Sequence, residues 1–133
     1  MSVPSNAVLD VMHSHGSVRR YRADPVTEST LTAIVHAAQR ASTSSNLQMW
    51  TVVAVEDPAK RERIAELCGN QSHIAQAPVF LAWCADLARL DRACEIRGYS
   101  QVVDYCENFL LAAVDAAVAA QNAAVTFVNR MDP

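Results

Sequence analysis

Apolar residues recur at helical spacing along most of the chain, and only two short runs have the unspaced, β-branched pattern of a strand. Near the start, Ala7, Val8, Leu9, Val11 and Met12 follow Ser5, which can cap a short helix. Gly16 marks the exit of that helix, because glycine tolerates a left-handed turn. Asp24-Pro25 resets the chain and Thr27 offers a second cap. Leu31, Ile34, Val35 and Ala38 then fall at i, i+3, i+4 and i+7, the mark of an amphipathic helix.

Residues 41–46, ASTSSN, are small and polar, compete with the backbone for hydrogen bonds and break that helix. Trp50 to Val55 reads as a buried strand. After Asp57-Pro58 a charged helix turns Ile64, Ala65 and Leu67 inward and stops at Gly69. A second buried strand is expected from about Val79 to Cys84. The last element begins near Ser100 and carries Val102, Val103, Cys106, Phe109, Leu110, Ala113, Val114, Ala117 and Val118. Its apolar surface is broad and its residues small, which predicts a helix buried on most sides, partly against a second subunit.

The order helix, helix, strand, helix, strand, long helix is an α+β pattern. Two strands make a poor sheet by themselves, so something else is expected to complete it. At 133 residues, 51% hydrophobic and 19% charged, the chain is one globular domain at most, residues 1–133, without repeat or linker. A net charge of −3 and no dense Lys/Arg tract argue against nucleic acid or a membrane surface as partner and leave small molecules or another protein. The first residues lack a basic start followed by an apolar core, and no uninterrupted apolar run is long enough for a membrane span, so the cytoplasm is the expected compartment. Cys68, Cys84, Cys94 and Cys106 form no CxxC pair and read as buried, reduced thiols.

Three polar segments are candidates for chemistry. In His15-Gly16-Ser17-Val18-Arg19-Arg20, a hydroxyl, an imidazole and guanidinium groups suit a phosphate or a polyhydroxylated chain, because Arg binds phosphate through paired hydrogen bonds. On composition alone a solvated basic loop is the better account of the same residues. Ser42 to Trp50 offers hydroxyls and amides that can bind a polar ligand without charge cost, or serve only as turn chemistry. Gly69-Asn70-Gln71-Ser72-His73 contains Gln71, with a donor and an acceptor that can read the edge of a polar ring, although amides after a Gly stop are usually just loop. There is no G-x-S-x-G elbow, no G-x-G-x-x-G and no P-loop. His13-x-His15 has no third ligand placed with it, so no metal site is expected.

In order and spacing, these segments resemble the nitroreductase family, most of all its oxygen-insensitive NADPH nitroreductase and flavin reductase branch. The likeness runs from about Val8 to Ala124. It rests on His15-x-Ser17-x-Arg19, Ser44-Ser45-Asn46-Leu47-Gln48, the run from Gly69 to Pro78, Cys84-Ala85-Asp86 and Ala120-Gln121-Asn122-Ala123. One such motif is weak; five in register are specific. The resemblance implies a homodimer with two FMN molecules at the subunit interface. His15, Ser17 and Arg19 would hold the ribityl and phosphate part of FMN, Gln71 would meet the flavin ring, and Ser44, Ser45, Asn46 and Gln48 would reach the flavin from the serine-rich loop. NADPH or NADH would reduce the flavin, and a nitroaromatic, quinone or free flavin would take two electrons from it. The cofactor would carry the chemistry, so no catalytic side chain is expected.

The family pattern is lost after Ala124. Where family members continue with a glycine-ended helix, a strand passing the flavin and basic residues for the phosphate, this chain reads Val125-Thr126-Phe127-Val128-Asn129-Arg130-Met131-Asp132-Pro133. That departure implies a shortened relative, with apolar surface exposed on the long helix and a sheet edge unpaired. It raises a second reading from a different class, a noncatalytic remnant that dimerises or binds a partner through that helix.

Overall fold

A computed structural model of the chain describes residues 5–102 and 105–128. The elements are α1 (Ala7–His13), α2 (Glu28–Ala38), a 3-10 turn (Ser44–Asn46), β1 (Trp50–Val55), α3 (Pro58–Leu67), α4 (Ser72–Gln76), β2 (Phe80–Ala85), α5 (Leu87–Ile96) and α6 (Cys106–Val128). The two strands pair antiparallel, from Trp50↔Ala85 to Val55↔Phe80. The architecture is therefore α+β, with helices around a small sheet.

Short-range chemistry starts most of the helices. The Thr27 side chain accepts from the Thr30 amide, and the Asp57 side chain accepts from Ala59 and Lys60 with Pro58 just inside the helix. The first helix differs from expectation. Asn6, not Ser5, caps it, its Oδ1 lying 3.0 Å from the Val8 nitrogen and 3.1 Å from that of Leu9, while the Ser5 hydroxyl donates to the Asp10 carboxylate. That helix ends at His13 with Ser14 as its C-cap, so Gly16 stands beyond the stop assigned to it. Gly69, at φ +82°, does terminate α3 in the left-handed conformation.

The core forms where α2, α6 and one face of the sheet meet. Ile34 and Ala38 of α2, Trp50 of β1, and Ala116, Ala119 and Ala123 of α6 are buried together, with Val52, Leu81 and Trp83 packed against them. The rings of Trp50 and Trp83 lie 5.5 Å apart at a tilt of 43°. On α6, Ala112, Ala116, Ala119 and Ala123 recur at steps of four, three and four, so one stripe of methyl groups faces inward and lets a neighbouring backbone approach closely. The Asn122 amide adds a 3.3 Å hydrogen bond to the Ala37 carbonyl of α2.

Several expectations about burial are overturned. Neither strand is buried throughout: Trp50 is, but Val53 is 49% exposed and Cys84 and Ala85 are exposed. Among the described residues the sheet has two strands, and one of its faces lies on α6; side chains alternate, so Val53 and Cys84 belong to the other face. The buried-thiol reading fails with it: Cys68, Cys84 and Cys106 are exposed and Cys94 is half-buried. Leu67 is exposed on the last turn of α3, whose buried contact is Ala65.

The long helix begins at Cys106 rather than near Ser100, and Val103 lies outside the described residues. It is not buried on most sides within the chain. Leu110 and Val114 are more than half exposed on the side away from the alanine stripe, and Phe109 is as exposed one turn before Ala112. By length and composition α6 is apolar enough to cross a membrane, but its inner stripe is core and holds the buried Asp115. The helices α4 and α5 were not expected. Five residues are too few to show a period, and α5 is charged with no buried residue.

Since Ala119 is fully buried between Ile34, Ala38 and Trp50, Ala119→Leu should overpack this junction and lower stability by about 1–3 kcal/mol. Urea unfolding measures the loss, and an unchanged midpoint would mean that α2 and α6 are not closely packed.

Candidate functional site

The serine-rich segment forms a tight turn between the end of α2 and the start of β1. Three of its residues take left-handed conformations that non-glycine residues rarely adopt: Ser45 at φ 48°, Asn46 at φ 56° and Gln48 at φ 52°. Each is costly for the chain by itself, and such residues persist only where the surroundings over-determine them. Here the surroundings do so from two sides.

At the start of the turn, the Ser44 amide donates to Oδ1 of Asp115 on α6, 3.0 Å away. Asp115 is 2% exposed, in line with the alanine stripe, and its Oδ2 is buried without a hydrogen-bond partner. At the end of the turn, Arg89 of α5 donates to the Gln48 carbonyl at 3.0 Å and to the Trp50 carbonyl at 3.3 Å. Met49 and Trp50 anchor the exit in the core. The Gln48 side-chain amide donates to Oδ1 of Asn46 at 3.0 Å, which fixes those two polar groups against each other.

Arg89 is held in turn by the start of its own helix. Asp86 caps α5 by accepting from the Arg89 amide at 3.0 Å, and its other oxygen accepts from the Thr51 hydroxyl at 2.7 Å. The Asp86 amide donates to the Met49 carbonyl at 2.9 Å. These bonds tie α5 to the first residues of β1. The Thr51 hydroxyl, more than the backbone amides and the Arg89 charge, holds the Asp86 carboxyl below the usual carboxylate range, while desolvation opposes it. Beside the turn lies a cavity of about 480 Å³, walled by Gln39, Gln48, Trp50, Thr51 and Arg89 among others.

His15, Ser17 and Arg19 lie on an exposed stretch without regular structure after α1. Tyr21, at the end of that stretch, bonds through its hydroxyl to the Val18 carbonyl at 3.0 Å and lies 6.4 Å, ring to ring, from His73. That contact brings the first polar segment to the third. Within the third, Gly69 and Asn70 are both left-handed, and the Gln71 side-chain amide folds back to donate to the Cys68 carbonyl at 2.8 Å. One donor of Gln71 therefore serves the end of α3, and its carbonyl oxygen remains to accept. Among the described residues, no hydrogen bond joins the serine turn to either of the other segments.

The fold thus gathers Ser44, Ser45, Asn46 and Gln48 on one turn, and draws the His15–Arg19 stretch and the Gln71 loop together through Tyr21 and His73. Sequence reasoning missed Asp115, Arg89, Asp86 and Thr51. Asp115 had a visible signal, as an acidic residue set midway in the alanine-rich run of α6, and Asp86 had another, as a residue type that caps helices standing directly before Leu87. Thr51 and Arg89 had none, since each acts across a gap in sequence that only folding closes.

Residues 13–72 match a family profile described as the nitroreductase family. The chain is 39% identical over 116 residues to an FMN reductase [NAD(P)H] of Bacillus subtilis, covering 86% of this chain and 47% of that protein. It is 36% identical over 115 residues to an oxygen-insensitive NADPH nitroreductase of Salmonella typhimurium, covering 86% and 46%. The solved structure of B. megaterium NfrA2 superposes with a TM-score of 0.88 at 35% identity, covering 93% of this chain and 51% of that one. The chain spans about half the length of the curated relatives it matches.

Removing the Thr51 hydroxyl should raise the Asp86 pKa. In the native protein the folded-state value is depressed, so the stability it contributes is complete above the unfolded carboxylate range and is lost as pH falls through the folded value. Thr51→Val should therefore flatten the acid limb of the stability profile, followed by the urea midpoint at a series of acidic pH values. A limb as steep as that of the native chain would show that the hydroxyl is not what holds Asp86 down.

Proposed function

We propose that the chain belongs to the nitroreductase family and carries flavin-holding segments of an FMN-dependent NAD(P)H oxidoreductase that passes two electrons to nitroaromatics, quinones or free flavins. The observation that carries this reading is the Ser44–Gln48 turn. It is polar, exposed in part, strained at three non-glycine residues and braced from α5 and α6. Strain of this kind collects where a ligand is clamped.

The polar residues of these segments fit FMN. Hydroxyl and amide groups of Ser44, Ser45, Asn46 and Gln48 suit the uncharged, many-atom edge of a flavin and its ribityl chain. Arg19, with His15 and Ser17 beside it, is exposed and carries no ion pair among the described residues, so its guanidinium is available for a phosphate. Gln71 keeps an acceptor for the N–H of a flavin ring while its own amide stays on Cys68. FMN, when bound, supplies the hydride-accepting ring, and the side chains orient it and balance its charge. No residue of this chain is assigned as an acid or base. NADPH, or NADH, is the proposed donor, and the cytoplasm the proposed compartment.

The outward face of α6 supports a homodimer in the same reading. Leu110, Val114 and Val118, at steps of four, make an exposed apolar strip along one helix, the kind of surface that an association buries. The same strip is the observation behind the second reading, a noncatalytic chain that only dimerises or docks a partner.

Visible absorbance of the purified chain, with and without added FMN, separates the two. Bound-flavin bands that bleach when NADPH is added are the expected result. A folded sample that binds no FMN would rule out the oxidoreductase reading for this chain and leave the docking reading. Arg19→Ala should weaken FMN binding by about ten- to a hundredfold, the loss expected from one charge-assisted contact. Unchanged affinity would mean that the phosphate lies elsewhere.

A further inference from the structure

We infer that Asp115 is a positioning residue that sets the left-handed conformation of the serine turn, and through it the affinity of the site for flavin; the second half of this inference rests on the function proposed above. Asp115 stands 71 residues from Ser44 in sequence, yet its Oδ1 accepts the Ser44 amide at 3.0 Å. Among the described residues it is the buried polar or charged one, at 2% exposure, on the stripe of Ala112, Ala116 and Ala119.

A carboxyl group in such a place is costly unless its bonds repay the loss of water. For core packing alone, an alanine at this position would continue the stripe without that cost. Among the described residues only one oxygen finds a partner, and that partner is the first residue of the turn; Oδ2 is buried with none. The group therefore does something other than stabilise the helix pair.

What it does follows from where the strain lies. Immediately after Ser44 come Ser45 and Asn46 at φ 48° and 56°, then Gln48 at φ 52°. The Leu47 amide closes the turn on the Ser44 carbonyl at 2.9 Å. Ser44 is thus the fixed end from which the left-handed residues depart, and Asp115 is what fixes it. Arg89 holds the other end through the Gln48 and Trp50 carbonyls. With the Asp115 end released, the turn has one clamp and can relax to right-handed conformations, which would redirect the Ser45, Asn46 and Gln48 side chains.

Two substitutions and a control test this. Asp115→Asn keeps an acceptor at the Oδ1 position, and Asp115→Ala removes it. Ile34→Val, in the same core but remote from the turn's hydrogen bonds, controls for simple loss of stability. In isotope-labelled protein without flavin, strong intraresidue amide-to-Hα cross-peaks report left-handed Ser45, Asn46 and Gln48. These should persist in the Asn variant and in Ile34→Val and vanish in the Ala variant. FMN affinity, from titration of the visible bands, should fall about tenfold in Asp115→Ala alone. Left-handed cross-peaks that survive in folded Asp115→Ala would overturn the inference, as would equal loss of FMN affinity in Ile34→Val. If the Ala variant does not fold, Asp115→Leu, which fills the same space without an acceptor, takes its place, and left-handed cross-peaks that survive in that folded variant overturn the inference. Should the native chain bind no FMN, the proposed function falls while the cross-peaks still decide whether Asp115 sets the turn.

Discussion

The close approach of α2 and β1 to the alanine stripe of α6 is the contact on which the other features depend. Ala112, Ala116, Ala119 and Ala123 present only methyl groups, so Ile34, Ala38 and Trp50 can lie directly against the helix. Larger side chains on that stripe would push both elements away. The approach has a second effect: it brings the backbone of the segment between α2 and β1 within hydrogen-bonding reach of α6. Asp115, on the same stripe, makes that bond. Core packing and the geometry of the candidate site therefore share one surface.

Strain and support are distributed accordingly. The turn that carries the polar groups is short, holds three left-handed residues and has no glycine of its own, so propensity does not favour it. It is held by a carboxyl group from one long helix and a guanidinium group from a short one, with the capping carboxylate of Asp86 linking the latter to β1. A site built this way is ordered before any ligand arrives, which lowers the entropy lost on binding.

Legibility differs from segment to segment for physical reasons. The bounds of β1 and the cap of α2 were plain in the sequence, because β-branched runs and Thr caps act over a few residues. The short α4 was not, since five residues show no period, and α5 was overlooked although Leu87, Leu90 and Cys94 stand at helical spacing, because its charged residues interrupt the apolar pattern. Burial was the least legible property. Strands rich in valine read as core, but with two strands in the sheet the face carrying Val53 and Cys84 is uncovered, and the thiols expected inside are exposed.

By itself, the sequence determined the α+β class, the principal helices, both strands and the polar segments around Ser17, Ser45 and Gln71, since each depends on residues close together along the chain. It also carried the order and spacing by which the chain resembles the nitroreductase family. Tertiary structure alone decided that Asp115 and Arg89 would meet the serine turn from opposite ends, and that Tyr21 would lie by His73. It alone decided which of the two apolar sides of α6 is covered. Those outcomes depend on contacts between residues tens of positions apart, and a linear pattern does not encode which distant partner will close on which group.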